Sequence, residues 1–363
     1  MKKFWCLIAA CSVIFCTLCA CAPIVRLEER LIIRSMAVDY DGEYIVSVQS
    51  YRSKEEGGEE FELVTARGDS VYESLGRLEE ISGRLPFYSE LAVIIVGDSA
   101  VRQGMNRLLS GFVQENEIRM GVYVFYAGQS AADLLTLEEA TSPDEELIAV
   151  AKAQLSAPVL DASRLYNVVG RIQGEGQDAL LPILYTRQEE GGQDYMVDRV
   201  LCFRDEPPAA VLDAQQTETL GWALGGISTE NIFLRDPQGE DVFFRPVNAS
   251  NRIDFALDGD NLSLVLKIKQ SLEFLPLHPG AVSERQRDER LERSHVELQR
   301  QMQERLDALI DLVFCSSGSD VFLFGVHLRQ QQPRYWKQAG ERAAQAVHSV
   351  RPEVKIHLQI EEG

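Results

Sequence analysis

A chain of 363 residues with 56 acidic and 36 basic side chains carries a formal charge of −20. A field of that sign argues against nucleic acid as a partner and against a surface that hugs anionic lipid. Apolar side chains make up 45% of the residues, enough for a substantial core and too many for a chain disordered throughout.

The chain opens with the short basic start Met1-Lys2-Lys3, and Phe4 to Leu18 is an almost continuous apolar run without a charge. Such a run is short and wrongly flanked for a stable membrane span, but it suits the hydrophobic region of a secretory signal. It ends in Leu18-Cys19-Ala20-Cys21. That tetrad resembles the bacterial lipobox, with an aliphatic residue, a small residue, and then the cysteine that is diacylated. Residues 1–20 are therefore read as a lipoprotein signal peptide and Cys21 as the lipidation site. One acyl chain holds a protein only reversibly, whereas two hold it stably. The plainer alternative is an uncleaved anchor helix.

Five of the seven cysteines lie at Cys6, Cys11, Cys16, Cys19 and Cys21, which leaves Cys202 and Cys315 in the body. Two cysteines so far apart make no disulfide framework and no zinc spacing. Their apolar neighbours favour two buried free thiols, and a single bridge between them stays open.

Leu31 to Asp39 and Tyr44 to Tyr51 are β-rich runs about the turn Tyr40-Asp41-Gly42-Glu43, which predicts a hairpin. A charged loop from Ser53 to Glu60 precedes a third strand, Phe61 to Ala66. Ser70 is read as a helix cap, with Tyr72, Leu75, Leu78 and Ile81 as the apolar stripe. Leu91 to Val96 is a strand, and Asp98 and Ser99 cap a helix reaching Val113. Arg119 to Tyr126 is a further strand. Short helices follow from Ser130, from Ser142-Pro143 to Leu155, and over Asp161 to Val169.

Ala179 to Thr186 and Tyr195 to Phe203 are strands across the polar loop Gln188 to Gln193, which is the predicted domain boundary. Val211-Leu212 leads to a helix stopped by Gly225-Gly226. Ile227 to Phe274 is a string of antiparallel strands that includes a hairpin at Asp258-Gly259-Asp260-Asn261. Ser283 to Phe314 is a long helix with the core face Leu298, Met302, Leu306, Leu309, Ile310 and Val313. A helix from Pro333 to Val347 and a strand from Glu353 to Ile360 complete the chain. Hairpins mixed with helices, and no regular βαβ rhythm, give an α+β, multi-domain fold with mixed or antiparallel sheets and packed helices. The divisions are 1–20, 21–190 and 191–363, with a further division near 275 left open.

At this point the chain resembles the Ger(x)C family, the lipoprotein C subunits of bacterial spore germinant receptors. Four segments carry the resemblance, beginning with the lipobox followed closely by the hairpin 31–51. The second is Arg84 to Asp98, in which aromatic residues, Ser89 and Glu90 lead into a hydrophobic strand ending in Gly97-Asp98. The third is Val200 to Gly226, with Glu218-Thr219-Leu220-Gly221-Trp222. The fourth is Ser319-Asp320-Val321-Phe322-Leu323-Phe324-Gly325, followed by Pro333, Tyr335 and Trp336. The sequence departs from the family at Ala22 to Arg26, where many members carry a polar triplet, and in the mixed charge of Arg285 to Arg305.

The resemblance implies a membrane-anchored subunit of a nutrient receptor that acts in assembly and signal coupling on the outer face of the spore inner membrane. Its implied partners are an integral-membrane transporter-like subunit and a second subunit with membrane and soluble parts. No cofactor and no metal is implied. The alternative is a solute-binding lipoprotein of a transporter, which would need two α/β lobes about a cleft.

The remaining motifs have plain readings. Trp336 is read as core packing at a helix start, with partner docking as the alternative. Trp222 beside Gly221 and Gly225-Gly226 is read as helix termination, with the floor of a ligand pocket as the alternative. Asp39 to Gly42 and Asp258 to Asp260 lack the twelve-residue calcium pattern, so both are hairpin turns. The cluster Glu55, Glu56, Glu59 and Glu60 is a solvated loop. His278, His295, His327, His348 and His357 never pair at metal-ligand spacing, and no nucleophile elbow or phosphate loop occurs. The chain is therefore not read as an enzyme.

Overall fold

The structure is a computed structural model that describes residues 29–53, 59–135, 143–189, 192–235, 238–239, 241–258, 261–275 and 284–362. Residues 1–20, read from the sequence as a signal peptide, lie outside the described residues, as do Cys21, Glu55 and Glu56. The fold is α+β, with a nine-stranded and a four-stranded mixed sheet.

The first sheet begins as an antiparallel meander of β1 (Arg30–Tyr40), β2 (Tyr44–Ser53) and β3 (Glu59–Gly68). Gly42 supplies the positive φ of the first turn, 74°. Helix α1 (Val71–Ser82) follows, with Ser70 Oγ accepting from Glu73 N and Gly83 closing the C-terminus at φ 67°. Its buried apolar face is Val71, Leu75 and Leu78, whereas Tyr72 and Ile81 of the predicted stripe are 48% and 55% exposed. The buried arc is therefore centred on the Val71 side of the helix, and Tyr72 and Ile81 stand outside it.

β4 (Leu85–Phe87) and β5 (Val93–Gly97) pair parallel with β1. α2 (Asp98–Val101) and α3 (Met105–Gln114) occupy the stretch predicted as one helix. Gly104, at φ 102°, breaks it, and neither Asp98 nor Ser99 acts as a side-chain cap. Ser99 Oγ instead accepts from Tyr40 N at 2.9 Å, tying the turn to β1. β6 (Tyr123–Ala127) continues the sheet parallel to β5.

A 3₁₀ turn (Ala132–Leu135) precedes α4 (Pro143–Gln154), α5 (Ala157–Ala162) and α6 (Leu165–Gln173). The break between α5 and α6 falls within the helix predicted from Asp161 to Val169. Its cause is local: Val124 N donates to Ser163 O and Leu165 N to Val122 O, both at 2.8 Å, so these residues extend the sheet beside β6. β7 (Leu180–Glu189) then pairs parallel with β6 and antiparallel with β8 (Gly192–Phe203), and β9 (Pro208–Leu212) closes the sheet. Its order is β3-β2-β1-β5-β6-β7-β8-β9, with hairpins flanking a parallel centre. The polar stretch 188–193 is the end of the β7–β8 hairpin, with Glu189 opposite Gly192, so the sheet runs across the predicted boundary.

After α7 (Ala214–Ala223), whose capping box joins Asp213 and Gln216, the second sheet forms. It comprises β10 (Ile232–Arg235), β11 (Asp241–Asp258), β12 (Asn261–Leu275) and β13 (Glu353–Glu362) in that order, the last pair parallel. Between β12 and β13 run α8 (Glu284–Ile310), a π turn (Asp311–Ser316), α9 (Phe324–Gln331), α10 (Pro333–Ala339) and α11 (Glu341–His348). Gly340, at φ 55°, divides the predicted helix 333–347. All six residues of the predicted α8 face are buried, Val313 lying just beyond in the π turn.

Two apolar cores result. One packs α1, α3 and α6 on a single face of the first sheet through Leu75, Leu78, Leu108, Phe112, Leu165 and Val168. The other begins on the opposite face under α4, α5 and α7 and continues without interruption beneath the second sheet and α8. Burial of this kind is the main stabilising term for such a fold.

Candidate functional site

A buried polar network joins the segment 174–178, between α6 and β7, to the segment 318–325 ahead of α9. Asp178 N donates to Asp320 O at 3.1 Å, and Asp320 N returns a bond to Asp178 Oδ2 at 2.6 Å. Asp205 N donates to Asp178 Oδ1 at 2.6 Å, so each oxygen of this carboxyl holds a different segment. Asp320 points the other way. Its Oδ1 and Oδ2 accept from Phe324 N at 2.9 Å and Gly325 N at 2.8 Å, two of the donors left without intrahelical partners at the start of α9. Ser319 Oγ donates to Phe203 O, and Arg171 Nη1 donates to the carbonyls of Asp178 and Val321 at 3.4 Å each.

Two glycines let the segments touch. A Cβ on Gly325 would stand 2.5 Å from Gly176 O, and one on Gly176 would stand 2.8 Å from Trp336 Cη2 and 3.0 Å from Gly325 Cα. Asp205 and Leu323, at φ 56° and 67°, are the only non-glycine residues with positive φ among the described residues. Both sit at this junction. Left-handed backbone at a branched or bulky residue costs about 1–3 kcal/mol and persists where the surroundings enforce it. Strain and buried charge thus coincide.

The electrostatics follow from burial. Removal from water pushes the Asp320 carboxyl up to about 7, against the two backbone donors that favour its charge. Burial raises Asp178 as well, and it holds the neighbouring Cys202 thiol up at about 12. His348, stacked on Phe314 with ring centroids 4.8 Å apart, is held below the usual imidazole range by burial. Over the network lies a pocket of about 300 Å³ whose wall includes Gly176, Arg204, Asp205, Trp336 and His348. The arrangement can lock two segments together. It brings no metal-ligating cluster together among the described residues.

Trp336, near the start of α10, is half-buried and packs against the second core as expected, and its ring also meets Gly176 at the junction. Trp222 is buried, donates to Ser228 Oγ at 2.6 Å, and carries the Arg305 guanidinium 4.2 Å from its ring. Its neighbouring glycines admit protein: Gly221 and Gly226 face Ser156, and a Cβ on Gly225 would stand 3.0 Å from Asn251 N. Both thiols are free, but Cys315 is exposed, a correction to its expected burial. It lies in the π turn, whose buried residues are Val313 and Phe314. Asp178 and Arg171 escaped the sequence reading. The only signal was Gly174-Glu175-Gly176-Gln177-Asp178, a glycine-punctuated link between a helix and a strand.

Both halves of the chain resemble known proteins. Residues 24–186 match the family model described as the spore germination protein N-terminal domain. Residues 200–362 match the model described as spore germination B3/GerAC like, C-terminal. The chain is 22% identical over 343 residues to spore germination protein B3 of Bacillus subtilis (strain 168), covering 88% of each. Its fold is similar to the crystal structure of the GerBC protein, with a TM-score of 0.55 and 17% identity over 90% of this chain and 96% of that one. No helix among the described residues is long and apolar enough to cross a membrane.

Proposed function

Since the chain belongs to the Ger(x)C family of spore germinant-receptor C subunits, we propose that it is a lipid-anchored, non-catalytic subunit that assembles the receptor and couples its signal. Diacylation of Cys21 holds the folded body at the extracytoplasmic face of the spore inner membrane. A tether of this kind raises the effective concentration of the body at its partners, so a modest interface suffices. The implied partners are a transporter-like integral-membrane subunit and a subunit with both membrane and soluble parts.

The observation that carries the coupling role is the junction of Asp178 and Asp320. It ties the end of the first family-model region to the last third of the chain through backbone donors on both sides. A displacement imposed on one segment is therefore transmitted to the other. A solute-binding protein with two lobes closing on a cleft fits less well, because one apolar core passes continuously from the first sheet to the second.

The test is a gene deletion complemented with wild type, Cys21→Ala or Asp178→Ala, scored by nutrient-triggered germination and by immunoblot of the two partner subunits. The expected result is loss of response to one nutrient in the deletion and in both variants, with lower partner levels for Cys21→Ala. Unchanged germination of Cys21→Ala spores at wild-type protein levels would remove the anchoring half of the proposal.

A further inference from the structure

The chain's overall charge conceals a patch of the opposite sign. Along β11, β12 and β13 the inward side chains fill the core, and the alternate ones project outward. In the outward set the register places Arg252 beside Lys267 and Lys267 beside Lys355, with Lys269 beside His357 in the next row. Side chains so placed stand about 5 Å apart across the strands and about 7 Å apart along them. All five are exposed.

Two acids offset this group: Asp254 lies 2.7 Å from Arg252 and 2.9 Å from Lys267, and Glu353 lies 2.9 Å from Lys355. Lys269 makes no ion pair among the described residues. Four permanent cations therefore face two anions at the centre of the face, which turns acidic at both ends, at Asp258 and towards Glu361. The described residues contain five lysines, at 152, 267, 269, 337 and 355, and three of them share this face. Like charges directly opposite on neighbouring strands destabilise a sheet. A strongly acidic chain that nevertheless keeps three cations in adjacent register breaks a local rule, and such breaks mark functional surfaces.

We propose that this face of the second sheet docks on a bilayer surface carrying anionic headgroups. The positive side chains are spread over a sheet face, which suits an extended anionic surface. The docking rests on the lipid-anchored reading, under which Cys21 and the short segment 22–29 keep the body beside the bilayer; eight residues span at most about 28 Å. An otherwise acidic body is repelled by anionic lipid, so this face sets the orientation in which the tethered body can approach. The remaining surface is then turned towards partner subunits.

The experiment is lysine acylation footprinting of the full acylated protein with excess vesicles of either phosphatidylglycerol and phosphatidylcholine or phosphatidylcholine alone. Labelling of Lys267, Lys269 and Lys355 should fall about threefold or more on the anionic vesicles and recover in about 0.5 M salt. Lys152 and Lys337 serve as internal controls and should not change. Equal labelling on both vesicles, or protection of Lys152 and Lys337 instead, would overturn the proposal. So would protection of the three lysines by soluble polyglutamate but not by anionic vesicles, which would point to an acidic protein partner. Failure of the anchor is read separately, as loss of the protein from phosphatidylcholine vesicles in high salt, and excess vesicles keep the footprint informative in that case. The variant K267Q/K269Q/K355Q should melt close to wild type, since the repulsion it relieves offsets the two exposed ion pairs it removes, and should lose the preference for anionic vesicles.

Discussion

Asp320 combines a carboxyl out of reach of water with two backbone donors and a second carboxyl nearby, and the desolvation cost dominates. Its folded pKa, about 7, lies above the ordinary 3.8. The native state therefore holds a proton that the unfolded chain has released between those values. Stability contributed by this group is fully present below about pH 4 and is lost as the pH rises through about 7. The raised Asp178 adds to the same trend. Thermal melts from pH 4 to pH 8 should thus carry a falling component in this window, and Asp320→Asn, which stays neutral, should flatten it. Asp320→Ala should cost about 1–3 kcal/mol by leaving the Phe324 and Gly325 donors unsatisfied. If Asp320→Asn kept the full slope, the buried acid would not be its source. Gly325→Ala tests the contact from the other side. Its Cβ would meet backbone, which cannot rotate away, so urea titration should show a loss of about 1–3 kcal/mol.

Elements differ in how plainly the sequence announces them. The α8 face was legible because six apolar positions recur at helical spacing over a stretch otherwise charged, and every one of them is buried. Leu306→Ala should accordingly cost about 2–5 kcal/mol in chemical denaturation, because it empties a fully enclosed site between α8 and the sheets. The breaks at Gly104 and Gly340 were less legible, since a single glycine inside an apolar pattern is tolerated as often as it terminates a helix. The break at Ser163-Arg164 had no local signal at all. It exists because β6 offers two backbone partners, and those partners are contributed by tertiary structure. The parallel centre of the first sheet was hidden for a similar reason: its crossovers are split into short helices, so no regular βαβ rhythm reaches the sequence. Half of the candidate site is legible as the motif around Asp320, while its partner Asp178 is invisible because pairing across 142 positions leaves no local trace.

At the scale of the whole molecule, the strand ladder and the second core both cross the hairpin at 189–192. A polar, glycine-bearing loop has the composition of a linker, and composition alone cannot distinguish a linker from a hairpin end. Unfolding should therefore be one cooperative transition, with intrinsic fluorescence and far-ultraviolet circular dichroism melting at the same temperature. Two separated transitions would mean that the halves are stable on their own. A fragment of 24–186 expressed alone should aggregate, because it would expose the β7 edge that β8 covers and uncover the part of the second core that α7 and the later elements bury.

The crossing of Gly176 and Gly325 has a consequence for descent. Two backbones that touch without side chains between them leave no room for either position to drift, and compensation by the neighbour is impossible when the neighbour is a main chain. Each half of the gene therefore constrains the other at a point where substitution cannot be bargained one residue at a time. Recombination that joined a first half and a second half from distant relatives would have to bring matching loops together with them, so such chains are expected to be inherited whole.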